Sequence, residues 1–342
     1  MTACPPSPVP PAAASGCPAC GASLLTWRTV ATSDPSLPGR FELLRCSECG
    51  TAVTGGPPPA WDDAHDGGSY ATRRPRGSGI AAPLLRAFDR QRLRIVARRA
   101  PAVPQRSATG AAVLLDIGAG RGRFVATARD AGWDARGLEP AARGVDAARD
   151  VYGVALTRAT IDDADVEPAS VDAATLWHVL EHVDHPVATL RRVGGWLRPG
   201  GVLVVGVPNR RSWQARIGGE RWFHADVPRH RTHFTPAGLR RAVAAAGLET
   251  VAVHQVLLEH NPFGMWQSAV NRVSGTTSHL YYVLKRSERP RPAALLVTVL
   301  ALPLVPVAMV VEAIGGLVGR GGTMALVARR PVSGTSDAPS HH

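Results

Sequence analysis

Between residues 112 and 256 short apolar runs alternate with stretches whose apolar positions recur at helical spacing. Runs near 112–116, 134–138, 154–157, 171–176, 202–207 and 250–256 predict strands, and the patterns near 122–131, 141–150, 185–196 and 236–246 predict helices. Such alternation implies an α/β fold, a mostly parallel sheet with helices on both faces. Ahead of it, residues 80–99 predict a basic amphipathic helix. Ala81, Leu84, Leu85, Phe88 and Ile95 share one face, with Arg86, Arg90, Arg94 and Arg98 off it. The expected role is packing on the core, and the alternative is a helix lying in a membrane interface.

The C-terminal third carries a different pattern. Ala293 to Val311 is a run of 19 residues without a charge, Glu312 interrupts it, and Ala313 to Gly319 is apolar again. The length would suit a membrane span. Pro303 and Pro306 break its middle, however, and 322–330 reads as a strand. Flanking regions differ in composition: 1–15 reads as a disordered tail, 56–79 as a Pro/Gly/Asp-rich linker and 331–342 as a second tail.

One strand ends in a chemically informative turn. Val113-Leu114-Leu115-Asp116-Ile117 runs into Gly118, Gly120 and Gly122 at alternate positions and then into a helix. A glycine turn at a helix N-terminus presents backbone N–H groups, and without a Cβ a ligand can approach closely. Glu139 follows Asp116 by 23 positions at the end of the next strand, where a carboxylate can accept both hydroxyls of a ribose.

Four of the five cysteines form two Cys-x-x-Cys-Gly knuckles, Cys17/Cys20 and Cys46/Cys49. Two such knuckles supply four thiolates for a closed tetrahedral zinc site, structural because no coordination position stays open. With short strands expected at 24–30 and 40–44, residues 16–55 read as a zinc ribbon. Cys4 sits in the Pro-rich tail as an unpaired thiol.

The formal net charge is +12, and Lys285 is the only lysine. Arginine in place of lysine, with abundant Ala, Gly and Pro, fits a coding bias, so the charge is weak evidence for nucleic acid. A basic surface still favours phosphates and acidic lipid headgroups. The Pro/Ala/Ser-rich N-terminus lacks a basic region followed by an apolar run, and the expected compartment is the cytoplasm, with association at the inner face of the cell membrane.

The Gly-x-Gly-x-Gly turn resembles motif I of the class I S-adenosylmethionine (SAM)-dependent methyltransferases, and the chain is similar to their ubiquinone-biosynthesis and type 11/23 members. Val171–Val183 resembles the family's fourth strand and following loop, and Leu197–Val205 the turn into its fifth. The matches fall in order over roughly 110–256. The resemblance implies a Rossmann-like seven-stranded sheet with a core over 80–256, an apolar insertion over 257–320 and a last strand over 321–330 that returns antiparallel. The chain would then re-emerge on the side it left, which favours a hairpin or shallow re-entrant element over a single crossing. The resemblance also implies that SAM is held by Asp116, Gly118, Gly120, Gly122 and Glu139, with Trp177, Ile161 and Asp162 beside it, and that 80–99 covers the cofactor.

Candidate chemistry follows strands four and five. His178 begins His178-Val179-Leu180-Glu181-His182, beside the expected methyl group. The segment is similar to the acidic Glu-x-x-Glu-His of ubiquinone-biosynthesis O-methyltransferases, which use a divalent ion. Here the first acid is a histidine, which puts that ion in doubt. A second cluster, His224 to Thr235, offers His230 and His233 as general bases and Arg229 and Arg231 as holders of a phosphate or carboxylate. The competing reading is that these histidines cap the next helix. Trp213, Trp222, Phe223 and Trp266 either line an apolar or sugar pocket or belong to the core.

The expected activity is O-methylation of a hydrophobic or lipid-linked small molecule or glycan at a membrane surface. An RNA methyltransferase is the second reading, disfavoured because the Asn/Asp-Pro-Pro-aromatic loop and a cysteine after Cys49 are missing. A non-catalytic, membrane-associated SAM-binding protein is the third.

Overall fold

The computed structural model describes residues 16–33, 39–57, 78–100, 110–259, 261–284 and 291–332. The expected tail over 1–15 with Cys4, most of the linker and nearly all of the final tail lie outside the described residues.

In chain order the elements are β1 (Leu24–Ala31), β2 (Arg40–Cys46), β3 (Ala52–Thr54), α1 (Ser78–Ala97), β4 (Val113–Ile117), α2 (Arg123–Asp130), β5 (Asp134–Leu138) and α3 (Ala142–Tyr152). They continue with β6 (Val171–Trp177), α4 (Pro186–Trp196), β7 (Leu197–Pro208), α5 (Trp213–Gly218), β8 (Thr232–His233), α6 (Pro236–Ala245) and β9 (Glu249–His254). The last are α7 (Asn261–Ser274), α8 (His279–Leu284), α9 (Pro292–Ala301), α10 (Val305–Leu317) and β10 (Thr323–Arg329).

The main sheet runs β5-β4-β6-β7-β10-β9. β4 to β7 pair in parallel, and β10 lies antiparallel between β7 and β9. β4 and β6 are buried along their whole length, which is why their sequences are nearly continuous apolar runs. Alternate residues point to opposite faces. Leu115, Ile117 and Leu203 meet Leu190 of α4 and Leu239 of α6, whereas Leu114, Ala173 and Val204 meet Val96 of α1 and Phe124 of α2. The strand expected over 154–157 shrinks to one parallel bridge, Leu138 to Thr157. The amide of Val154 closes the end of α3 on Ala148, leaving too short a run to pair further.

α1 corrects the expected amphipathic face. Leu84 is 57% exposed, and the buried side carries Asp89, Ile95 and Val96. A charged residue faces inward because it has partners there, described below. The side chain of Ala81 lies outside the described residues.

β1, β2 and β3 form an antiparallel ribbon sheet, and its fourth strand is β8 from the core, with Ala52 opposite His233 and Val53 opposite Thr232. The ribbon is thus continued by a core strand, a join absent from the sequence pattern.

The apolar stretch is a single helical rod over Pro292–Leu317, 26 residues with one tight turn at Leu302–Leu304, rather than a hairpin. Both prolines fall in first turns, where the missing N–H costs little. The Trp266 indole N–H donates to the Ala301 carbonyl at this interruption, 2.8 Å away. The rod packs along α7 with its small and polar residues inward: Ala294, Thr298, Ala308, Glu312, Gly315 and Gly316 are buried. Its large side chains point outward, Leu300 being 69% and Leu317 77% exposed. The Glu312 carboxylate fixes this orientation by accepting from Gly322 N (2.6 Å) and Gln214 Nε2 (2.9 Å).

Candidate active site

Gly118, Gly120 and Gly122 have φ of 71°, 57° and 71°, the left-handed region that glycine enters without strain. A Cβ on Gly118 would lie 2.4 Å from Val179 Cγ2, so the loop is pressed against the segment after β6. Gly120 N donates to Glu139 Oε2 (2.7 Å) and Ala141 N to Oε1 (3.0 Å). Each carboxylate oxygen can accept a further bond, as a vicinal diol requires. Asp116 is buried beside the loop and accepts from Thr175 Oγ1 (2.5 Å), with Arg92 at 3.9 Å. Burial pushes its carboxyl up, opposed by Arg92 and Thr175.

α1 lies over this loop. The Arg92 guanidinium sits 4.5 Å above the rings of both Phe124 and Trp177. It stands 4.0 Å from Asp89 and 3.9 Å from Glu259, while Arg123 binds Asp89 at 2.8 Å and Glu259 at 3.0 Å. Three carboxylates, Asp89, Asp116 and Glu259, therefore face the guanidinium groups of Arg92 and Arg123. Asp89, Arg92, Arg123 and Glu259 belong to no recognisable motif, and sequence reasoning missed them. The one available signal was an acid within the apolar side of α1.

Histidines gather after β6. His178, at φ 56°, brings Nδ1 to 3.0 Å from Glu181 Oε1 and stacks parallel to His224 at 5.9 Å. With Nδ1–H donated to the carboxylate, the lone pair lies on Nε2. Burial opposes ionisation of Glu181, but His178, His182 and His230 outweigh it and hold the carboxyl at about 2. His230 Nδ1 donates to the His224 carbonyl at 2.9 Å, and its Nε2 faces Glu181 at 4.0 Å and Asp226 at 3.8 Å. Glu181, His182 and His230 could offer three metal-ligand atoms within 4.8 Å of one another. Each also holds a protein partner.

The cysteines converge as well. Cys17 Sγ lies 3.7 Å from Cys49 Sγ and Cys20 Sγ 3.5 Å from Cys46 Sγ, all four within 4.8 Å of one another. The tetrahedral edge for zinc–sulfur bonds is about 3.8 Å, so the donor set fits a four-coordinate ion.

A family model described as a methyltransferase domain matches residues 74–253, more than half of the chain. The chain belongs to this methyltransferase family. It is 28% identical over 160 residues to the ubiquinone biosynthesis O-methyltransferase of Idiomarina loihiensis, 42% of this chain and 64% of that protein. To the enzyme of the same name from Methylocella silvestris it is 31% identical over 146 residues, 40% of this chain and 57% of that protein. The chain thus spans less than two thirds of the length of these relatives. A solved SAM-dependent methyltransferase from Archaeoglobus fulgidus superposes with a TM-score of 0.44 at 16% identity, covering 71% of this chain and 94% of that one.

Within the chain the expected site residues divide. Asp116, the three glycines, Glu139 and Trp177 surround one loop, and His178 follows Trp177 directly. Ile161 packs against the apolar core and Asp162 is exposed, its carbonyl accepting from Arg192. His233 parts from the others: its Nε2 lies 2.9 Å from Thr54 Oγ1 of the ribbon. Thr235, not a histidine, caps α6 by accepting from Gly238 N. Arg229 pairs with Asp226 and Arg231 with Asp184.

Burial, reinforced by His182, pushes His230 down to about 4, and burial with the charge of His230 and Arg210 pushes His233 down to about 3. The unfolded chain takes up these protons first, near pH 6.5. Their contribution is therefore intact above pH ~6.5 and is lost as pH falls toward 4, by about 1.4 kcal/mol per unit for each histidine. Glu312, raised to about 7 by burial, acts in the opposite sense between its unfolded and folded values, as do Asp89 and Asp116. The informative quantity is thus a difference. Denaturant unfolding between pH 4.5 and 6.5 should show His233→Gln flattening the slope by about 1.4 kcal/mol per unit relative to the unaltered protein. An equal slope would mean that His233 titrates normally.

Proposed function

We propose that this methyltransferase methylates a hydroxyl oxygen of a hydrophobic or lipid-linked acceptor at a membrane surface. The observation that carries the reading is the inverted rod of α9 and α10, which buries glycine, alanine, threonine and glutamate and turns leucine, valine and methionine outward. Water penalises that arrangement, and a lipid surface rewards it. The names of the relatives support oxygen as the accepting atom.

Bound SAM supplies a methyl group on a sulfonium. Asp116, Gly118, Gly120 and Gly122 would hold its amino-acid end and Glu139 its ribose. His178, oriented by Glu181, would take up the proton of the acceptor hydroxyl on Nε2, leaving its oxygen to receive the methyl group that SAM would supply. The four thiolates hold a structural zinc ion.

Membrane extract incubated with methyl-labelled SAM tests this. Label should enter an organic-soluble product. Leu300→Glu/Val310→Glu should lose both label and liposome binding with SAM affinity unchanged. His178→Ala should lower labelling by about 10²–10⁴ with liposome binding and SAM affinity kept. Liposome binding by the double variant equal to that of the unaltered protein would refute the membrane reading.

A further inference from the structure

A cavity of roughly 310 Å³ opens between the ribbon and the core. Arg28, Arg210, Arg211, Arg216 and Arg320 line it, together with Trp222. Among the described residues none of these five guanidinium groups forms an ion pair with a carboxylate, in contrast to Arg229 and Arg231 nearby. On two of the lining residues a donor is fully buried with no acceptor among the described residues, Arg210 Nε and the indole Nε1 of Trp222. The planes of Arg28 and Arg210 are held by the Trp27 ring, at 3.4 Å and 4.6 Å from its centroid.

So dense a set of like charges opposes itself. Burial, then the charges of Arg45, Arg28 and Arg211, push Arg210 down to about 10. The single acid acting on Arg28 is Glu220. A multiply charged anion relieves this repulsion, and guanidinium forks match phosphate oxygens in pairs. The volume lies at the small end of ligand sites, about 300–1,000 Å³, enough for a charged head but not for a lipid chain. The rod adjoins it: Arg320 follows α10, and a Cβ on Gly315 of α10 would lie 3.2 Å from Trp213, another lining residue.

We propose that this cavity binds the phosphate or diphosphate group of the acceptor, anchored by Arg28 and Arg210 with Arg211, Arg216, Arg320 and Trp222 around it. The inference rests on the lipid-linked reading for what is attached to the phosphate, since the apolar remainder would run onto α9 and α10. It gives the ribbon a part in acceptor recognition.

Titration calorimetry of the full-length protein with inorganic pyrophosphate tests the site. The unaltered protein should bind. Arg210→Gln should weaken binding at least tenfold, and so should the double variant Arg211→Gln/Arg216→Gln, whose exposed side chains leave the fold intact. SAM affinity should stay the same in all three. An unaltered protein that does not bind pyrophosphate, or variants that bind it equally well, would overturn the proposal. Geranyl diphosphate separates the sources: tighter binding than pyrophosphate supports a lipid-linked acceptor. Equal binding keeps the phosphate site and overturns the lipid-linked reading.

Discussion

Gly118→Val should weaken SAM binding by about 100-fold or more while leaving the metal content of the four-cysteine cluster unchanged. At φ 71° a β-branched side chain is strained by about 1–2 kcal/mol, and here its first carbon already falls 2.4 Å from Val179 Cγ2. Overpacking adds about 1–3 kcal/mol. The loop must move, and with it goes the register that brings Gly120 N within 2.7 Å of Glu139. The summed penalty, a few kcal/mol, corresponds to a loss of about 100-fold or more in affinity. Glu139→Ala should weaken binding through the same loop, since it removes the acceptor for two backbone amides and the partner of the ribose. Calorimetry with SAM and metal analysis of the same samples decide the point. Retained affinity in both variants would refute the assignment of this loop to the cofactor.

The second large effect is expected from Cys46→Ser. With three thiolates left, the site should lose its zinc, and loss of a structural metal is among the few single changes that cost more than ~4 kcal/mol. The damage should spread beyond the ribbon. Thr54 Oγ1 meets His233, Thr235 Oγ1 donates to the Cys49 carbonyl at 2.7 Å, and Ser33 donates to Asp226 at 2.6 Å. Pyrophosphate binding should disappear with Arg28 displaced. SAM affinity should stay close to normal, because the glycine loop and Glu139 draw their partners from the core. Metal content, thermal unfolding and SAM titration measure the three outcomes separately. Full zinc retention would place the ion elsewhere, and a large loss of SAM affinity would mean that the ribbon shapes the cofactor site.

What could be read from the chain were features with short-range causes. Strands such as Val113–Ile117 and Val202–Val207 are apolar because both faces are covered, and the three glycines announce a turn that tolerates no side chain. The knuckles were legible because two cysteines and a glycine fix their own geometry, Gly21 at φ 76° and Gly50 at φ 69°. The rest depends on distant pairs. Nothing in the sequence near Asp89 or Arg92 tells that Arg123 and Glu259 will meet them, and the apolar side of α1 was misjudged for that reason. The arginines of the cavity come from separate segments and look locally like compositional bias. The single rod replaced the expected hairpin because prolines in a first turn do not break a helix.

The pairing of β3 with β8 bears on how the chain is made. Thr54 and His233 touch across a sequence separation of 179 residues. On the ribosome the knuckles emerge early, and four thiolates can close on a metal as soon as Cys49 is out. The sheet they support stays one strand short until Thr232 and His233 have been synthesised. Throughout that interval β3 presents an open edge, the kind of surface at which nascent chains stick to one another. A metal captured early would then do more than hold a finished ribbon. It would keep the ribbon strands in register while the sheet waits for a strand that arrives after most of the core.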